Sequence, residues 1–126
     1  MIVEDYEDTR LFMKYLLESY GYQVIEAANG VEAIEKLQSR YPALILMDIG
    51  MPNMDGLTAT QEIRKFKEGA DVPILAVTIR RRHLYKEAIE AGFDDMITEP
   101  IDFDSFEALL HEYLEDEGEE IKRNEG

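Results

Sequence analysis

A chain of 126 residues has room for one domain and can bury a single core without covalent staples. It contains no cysteine, which excludes disulfides and thiolate metal sites. Its formal charge of −15, from 13 Lys and Arg against 28 Asp and Glu, opposes direct nucleic-acid binding and favours basic partners or divalent cations. Most of these charges read as an ordinary solvated surface. The longest apolar run, Ala43 to Met47, is far too short to span a bilayer, and no charged-then-apolar leader opens the chain. A cytoplasmic protein with no membrane association is expected.

The first apolar run, Met1-Ile2-Val3, stops at Glu4-Asp5. It is short before Glu4, which fits either a trimmed start or an excised domain. Leu11, Phe12, Tyr15, Leu16 and Tyr20 then fall at helical spacing, with Asp8 as the expected N-cap and Gly21 as the stop. Gln23 to Ala27 reads as a strand. Asn29-Gly30 opens a helix whose apolar face is Val31, Ile34 and Leu37, and Pro42 precedes a strand from Ala43 to Met47 that ends on Asp48. A loop rich in Gly, Pro, Asn and Asp covers Ile49 to Gly56. Leu57 to Phe66 is helical, with Ile63 and Phe66 inward. Pro73 leads a strand, Ile74 to Val77, ending on Thr78. Leu84, Tyr85, Ala88 and Ile89 form another helical face, stopped by Gly92. Asp94-Asp95 are turn residues before a short strand, Met96-Ile97-Thr98. The last helix shows Phe103, Phe106, Leu109, Leu110, Tyr113 and Leu114, capped by Asp102 or Asp104. The domain is expected over residues 1–116, with an acidic tail at 117–126 that is frayed or disordered.

The pattern is β-α repeated about five times. Leu44-Ile45-Leu46-Met47 is apolar without alternation, the mark of a parallel strand covered on both faces. Right-handed crossovers then produce an open, doubly wound α/β sheet. Ligands in such sheets sit beyond the carboxyl ends of the strands. The residues there are Glu4-Asp5, Asp48, Thr78 and Glu99-Pro100.

Clustered carboxylates repel one another unless a cation or proton sits among them. Oxygen ligands without His or Cys suit Mg²⁺, with Mn²⁺ or Ca²⁺ as alternatives. A carboxylate can also accept a phosphoryl group as an aspartyl phosphate, and a threonine hydroxyl can donate to a phosphoryl oxygen. Against this stands the plainer role of any single Asp or Glu after a strand, as a turn residue or helix cap. Three acidic strand ends on one rim weigh towards the metal.

With the acidic pair Glu4-Asp5, the segment Asp48-Ile49-Gly50-Met51-Pro52 followed by Asp55-Gly56, and Thr78 ending a strand, the chain resembles the receiver domains of two-component response regulators. The likeness runs from Met1 to about Asp116. It implies a flavodoxin-like three-layer sandwich around a five-stranded parallel sheet of order 2-1-3-4-5. It implies Asp48 as phosphoacceptor and Thr78 as the hydroxyl contacting the phosphoryl group. Mg²⁺ would be held by Asp5, Asp48 and the Gly50 carbonyl, with Glu4 close by. The donor would be a phosphohistidine on a sensor histidine kinase or phosphotransfer protein. A downstream partner or a second copy would read a changed surface on the fourth helix, fifth strand and fifth helix. Such a protein is a phosphoacceptor with possible self-dephosphorylation, not a turnover enzyme on a separate substrate.

Three positions depart from the family. Glu99 stands where the family places a lysine, Met96 where it places the switch aromatic, and Ile79 where it places a small residue. Exchanging an ammonium for a carboxylate changes the local charge by two units. At ~4 Å and an effective dielectric near 20, each pair of unit charges is worth roughly 4 kcal/mol before screening. The pocket should therefore attract divalent cations more and a phosphoryl dianion less. Two readings of Glu99 stand: a carboxylate turned to solvent, or a fourth carboxylate facing the metal. Arg80-Arg81-Arg82 is either a solvated basic patch or a replacement for the missing positive charge. These departures support a competing function, a phosphorylation-independent interaction module on a receiver scaffold. An aspartyl phosphatase is disfavoured because Gly50 occupies the place of its second acid. A flavin domain is disfavoured because Glu4 to Asp8 would repel a phosphate.

Overall fold

The apolar runs assemble into one parallel sheet. A computed structural model describes residues 1–49, 55–79, 85–99 and 101–125, and the side chains of Thr78, Ile79, Tyr85, Glu99 and residues 115–125 lie outside that description. The strands are β1 (Ile2–Val3), β2 (Glu26–Ala27), β3 (Ile45–Asp48), β4 (Ile74–Ile79) and β5 (Asp95–Glu99). Their order is β2-β1-β3-β4-β5, all parallel, as expected for a doubly wound sheet. Among the described residues, five helices intervene or follow: α1 (Glu7–Ser19), α2 (Gly30–Arg40), α3 (Gly56–Arg64), α4 (Tyr85–Ala91) and α5 (Phe103–Glu125). A 3-10 turn, Lys67–Gly69, leads from α3 towards β4.

Alternation along the strands feeds two cores. Val3, Ile45, Met47, Ile74 and Ala76 pack with α2, α3 and α4 through Ala33, Leu37, Ala59, Ile63 and Ala88. Ile2, Leu46, Leu75, Val77 and Ile97 face the other way, onto Met13 and Leu17 of α1 and Phe106 and Leu110 of α5. Both strand faces are apolar because both are covered. That produces the three layers.

Several local expectations are corrected. The buried stripe of α1 is Met13 and Leu17, with Leu16 and Tyr20 partly buried beside it, while Phe12 and Tyr15 are exposed. At about 100° per residue, Tyr15 lies on the far side of the helix from Met13 and Leu17. The N-cap of α1 is Tyr6, without a side-chain cap, and Asp8 sits inside the first turn, where its charge complements the helix dipole. In α2, Ala33 and Leu37 are buried and Val31 is 49% exposed, about 120° around the helix from Leu37. Asn29 caps that helix as expected, accepting from the Glu32 N–H at 2.8 Å.

β2 is two residues rather than five, because it pairs only where β1 runs. Phe66 follows α3 and opens the 3-10 turn, where it packs partly buried on the core. Ile89 and Phe103 are exposed, and Asp102 rather than Asp104 caps α5, accepting from Asp104 N–H and Ser105 N–H. α5 runs to Glu125. Among the described residues, no helix is long and apolar enough to cross a membrane.

Asp94, expected only as a turn residue, is half of a polar junction. Arg64 at the end of α3 donates to the carbonyls of Gly69 (2.9 Å), Val72 (2.5 Å) and Gly92 (2.7 Å), and to Asp94 Oδ2 (2.9 Å). The same Asp94 oxygen accepts the Ile74 N–H at 2.8 Å. One guanidinium thereby ties α3, the approach to β4 and the approach to β5. Its carbonyl partners are far apart in sequence and follow no periodicity.

Candidate functional site

β1 and β3 are neighbours with Val3 opposite Met47, so the residues leaving their carboxyl ends, Glu4 and Asp48, emerge side by side. The Glu4 N–H still donates to Ala27 in β2 at 3.0 Å, which holds its backbone to the sheet edge. Asp48 is the last residue of β3, opposite Val77 of β4. Carboxylate oxygens of Glu4, Asp5 and Asp48 lie within 4.8 Å of one another. Glu4 is buried (8% exposed), Asp48 half-buried and Asp5 exposed, so the cluster opens to solvent on one side.

Burial pushes the Glu4 carboxyl up to about 8, reinforced by its hydrogen bond and charge interaction with Asp48 and by a hydrogen bond with Asp5. The Tyr6 N–H, donating to Glu4 Oε2 at 3.2 Å, opposes that rise. A carboxyl that keeps its proton near neutrality reflects burial beside a second carboxylate. Three hard oxygen donors with no nitrogen or sulfur fit Mg²⁺ or a similar cation, which would take the proton's place.

Gly56, first residue of α3, sets how closely that helix approaches the site. A Cβ there would lie 2.8 Å from Ile49 Cα and would also collide with the Asp48 carbonyl oxygen. The Gly56 N–H donates to the Ile49 carbonyl at 3.0 Å, and Asp55 caps the helix by accepting from the Thr58 N–H at 2.8 Å. The Asp55-Gly56 pair of the sequence motif thus buttresses the backbone that carries Asp48.

Thr78 and Glu99 are placed by their backbone alone. Thr78 lies in β4 opposite Thr98, one residue beyond the Val77 that pairs with Asp48. Glu99 ends β5 opposite Ile79. Both therefore stand on the rim that carries the carboxylates. Gly50, Met51, Pro52, Met54, Arg80 to His83, Leu84 and Pro100 lie outside the described residues. Met96 is partly buried against the core on the α2–α4 side.

One residue at this rim was not singled out from the sequence. Arg10 of α1 donates through Nη1 to the Glu4 carbonyl at 2.9 Å and through Nε to Glu26 Oε1 at 3.2 Å. The signal was a cation near the start of the helix that follows the acidic pair, and helical periodicity alone passes over it.

Comparison with known proteins agrees with this geometry. Residues 1–111 match the family described as response regulator receiver domain. The chemotaxis protein CheY of Halobacterium salinarum is 40% identical over 100 residues, covering 79% of this chain and 82% of that one. Histidine kinase P4 of Formosa agariphila is 34% identical over 116 residues, which span 91% of this chain but 8% of the kinase. Among solved structures, the receiver domain of a sensor histidine kinase from Pseudomonas aeruginosa PAO1, with a magnesium ion coordinated in its active site cleft, superposes with a TM-score of 0.83 at 30% identity. That match covers 90% of this chain and 93% of that one. The matched family spans most of the sequence and both cores described above, and the chain belongs to the response-regulator receiver domain family.

Proposed function

We propose that this chain is a cytoplasmic receiver that takes a phosphoryl group on Asp48 in a Mg²⁺-dependent reaction and signals through a partner. The observation that carries this reading is the cluster of Glu4, Asp5 and Asp48 at the ends of adjacent strands. Its fit to a hard cation and the magnesium held by the structural neighbour support it. Glu4, Asp5 and Asp48 would hold the ion, together with the Gly50 carbonyl. When bound, Mg²⁺ neutralises the charge of the phosphoryl oxygens. Mn²⁺ or Ca²⁺ would substitute.

The donor is a phosphohistidine of a sensor histidine kinase or phosphotransfer protein. An Asp48 oxygen attacks phosphorus, the P–N bond breaks, and the leaving imidazole takes up a proton. Thr78 offers its hydroxyl to a phosphoryl oxygen. The receiver occupies residues 1–116, and the surface of α4, β5 and α5 carries the signal to a partner protein or a second copy. It is a signalling module rather than an enzyme turning over a separate substrate. A second reading, a phosphorylation-independent interaction module, is favoured by Glu99 at the family's lysine position.

Intact-mass analysis after incubation with Mg²⁺ and a small acyl phosphate separates the two. The phosphoacceptor reading predicts one phosphoryl adduct that is lost in Asp48→Asn and without Mg²⁺. The interaction-module reading predicts no adduct from the acyl phosphate or from a kinase, with partner binding unchanged in Asp48→Asn. Glu99→Lys should increase uptake, since it removes a negative charge and adds a positive one where a dianion must bind.

A further inference from the structure

We infer that Arg10 is a positioning residue for the metal-binding carboxylates: its guanidinium fixes the Glu4–Asp5 peptide against β2, without touching the ion. The inference rests on the metal reading of the pocket given above.

The geometry begins at β2. Glu26 is held from two helices, by Lys14 of α1 at 3.5 Å on one carboxylate oxygen and by Lys36 of α2 donating to its carbonyl at 2.5 Å. Its other carboxylate oxygen accepts Arg10 Nε at 3.2 Å. From that anchor the guanidinium reaches the Glu4 carbonyl with Nη1 at 2.9 Å. The Arg10 side chain is 17% exposed, so water competes weakly for these bonds. The bonded carbonyl belongs to the peptide joining Glu4 to Asp5. Rotation of that peptide would swing both carboxylates out of register with Asp48. The Tyr6 N–H bond to Glu4 Oε2 restrains the Glu4 side chain, whereas Arg10 restrains the backbone from which both side chains hang.

The charge of Arg10 is paired with Glu26, so its contribution to the pocket is orientation more than field. Lysine at this position would keep the charge but lose the rigid fork that spans both acceptors. Outer partners that orient metal ligands commonly govern affinity in this way.

The experiment is Mg²⁺ titration by calorimetry on wild type, Arg10→Ala, Arg10→Lys and Arg64→Ala, with thermal midpoints measured on the metal-free proteins. Arg10→Ala should weaken Mg²⁺ about tenfold. Arg10→Lys should show an intermediate loss. Arg64→Ala controls for general loosening: it should lower the midpoint but keep Mg²⁺ affinity within about twofold, because its partners lie at a separate junction. The positioning role is overturned if Arg10→Ala binds Mg²⁺ like wild type. It is also overturned if Arg10→Lys recovers full affinity, which would assign the effect to charge, or if Arg64→Ala loses as much affinity as Arg10→Ala. Should Arg10→Ala fail to fold, Arg10→Lys carries the test, with wild-type affinity again as the contrary result. Failure of wild type itself to bind Mg²⁺ overturns the metal reading, and the positioning role with it, which is a separate result from binding that is indifferent to Arg10.

Discussion

Two charged clusters in this molecule are built on opposite terms. At the Arg64 junction one cation meets three carbonyls and the Asp94 carboxylate, and Asp94 in turn accepts the Ile74 N–H. Every charge there has a partner of opposite sign or a dipole aimed at it. At the rim of β1 and β3, Glu4, Asp5 and Asp48 meet one another, and the Glu4 carboxyl keeps a proton up to about 8 as a result of burial and its neighbours. The first arrangement stabilises the fold. The second costs the fold stability unless a proton or a cation offsets it. The contrast separates structural charge from functional charge without reference to any motif.

Neutralising a residue should therefore have opposite signs in the two places. Arg64→Ala takes the donor from three carbonyls and the cation from Asp94, which keeps its bond from the Ile74 N–H, and should destabilise by roughly 2–4 kcal/mol, read from the urea midpoint. An unchanged midpoint would remove the junction from the account. Gly56→Ala forces a Cβ onto the backbone of Asp48 and Ile49. A loss of about 2–3 kcal/mol is expected, with Mg²⁺ binding weakened as Asp48 is displaced. Retention of both would show that α3 yields at no expense to the site.

Glu4→Gln should instead stabilise the metal-free protein above pH 8, by about 1–2 kcal/mol. The sign follows from linkage. Below the ordinary value of 4.5, Glu4 holds its proton in both folded and unfolded chains and contributes nothing. Between 4.5 and about 8 the unfolded chain has shed a proton that the folded chain retains, so stability falls as pH rises. Above about 8 the penalty is complete. Urea unfolding at pH 5, 7 and 9 without metal should show this decline in wild type and a flatter profile in Glu4→Gln. Equal slopes would mean that Glu4 is not the group responsible. The smallest effect is expected at Tyr41, which caps α2 with φ 48° and is exposed. Tyr41→Gly should stabilise by about 0.5 kcal/mol, since glycine adopts that left-handed conformation without the Cβ penalty. A destabilisation would show that the ring does more than its exposure suggests.

Much of this was legible in the residues. Apolar runs ending on acids place the strands and the rim, and the parallel sheet follows because Leu44 to Met47 carry no polar alternation. Asn29 and Asp102 announce their caps through short-range hydrogen bonding, which local sequence determines. What stayed hidden depends on distant contacts. The stripe of α1 is hard to read because aromatic Phe12 and Tyr15 compete with Met13 and Leu17 as candidates for it, and only the position of the sheet decides which pair is covered. β2 was read too long because strand length is set by its partner. Arg10 and Arg64 are bonded across turns and between elements, so neither periodicity nor motif spacing marks them. For the site itself, the sequence placed Glu4, Asp5 and Asp48 together, and the fold added the burial of Glu4 that holds its carboxyl protonated beside Asp48.

The central claim is that this pocket awaits a divalent cation. Its most direct test is calorimetric titration of the wild-type protein with Mg²⁺ at pH 7 in two buffers of different ionisation enthalpy. The account predicts binding at one site, with release of close to one proton as the ion displaces the one held on Glu4, and loss of both signals in Asp48→Asn combined with Glu4→Gln. No saturable heat, or binding that the double variant retains, would contradict it.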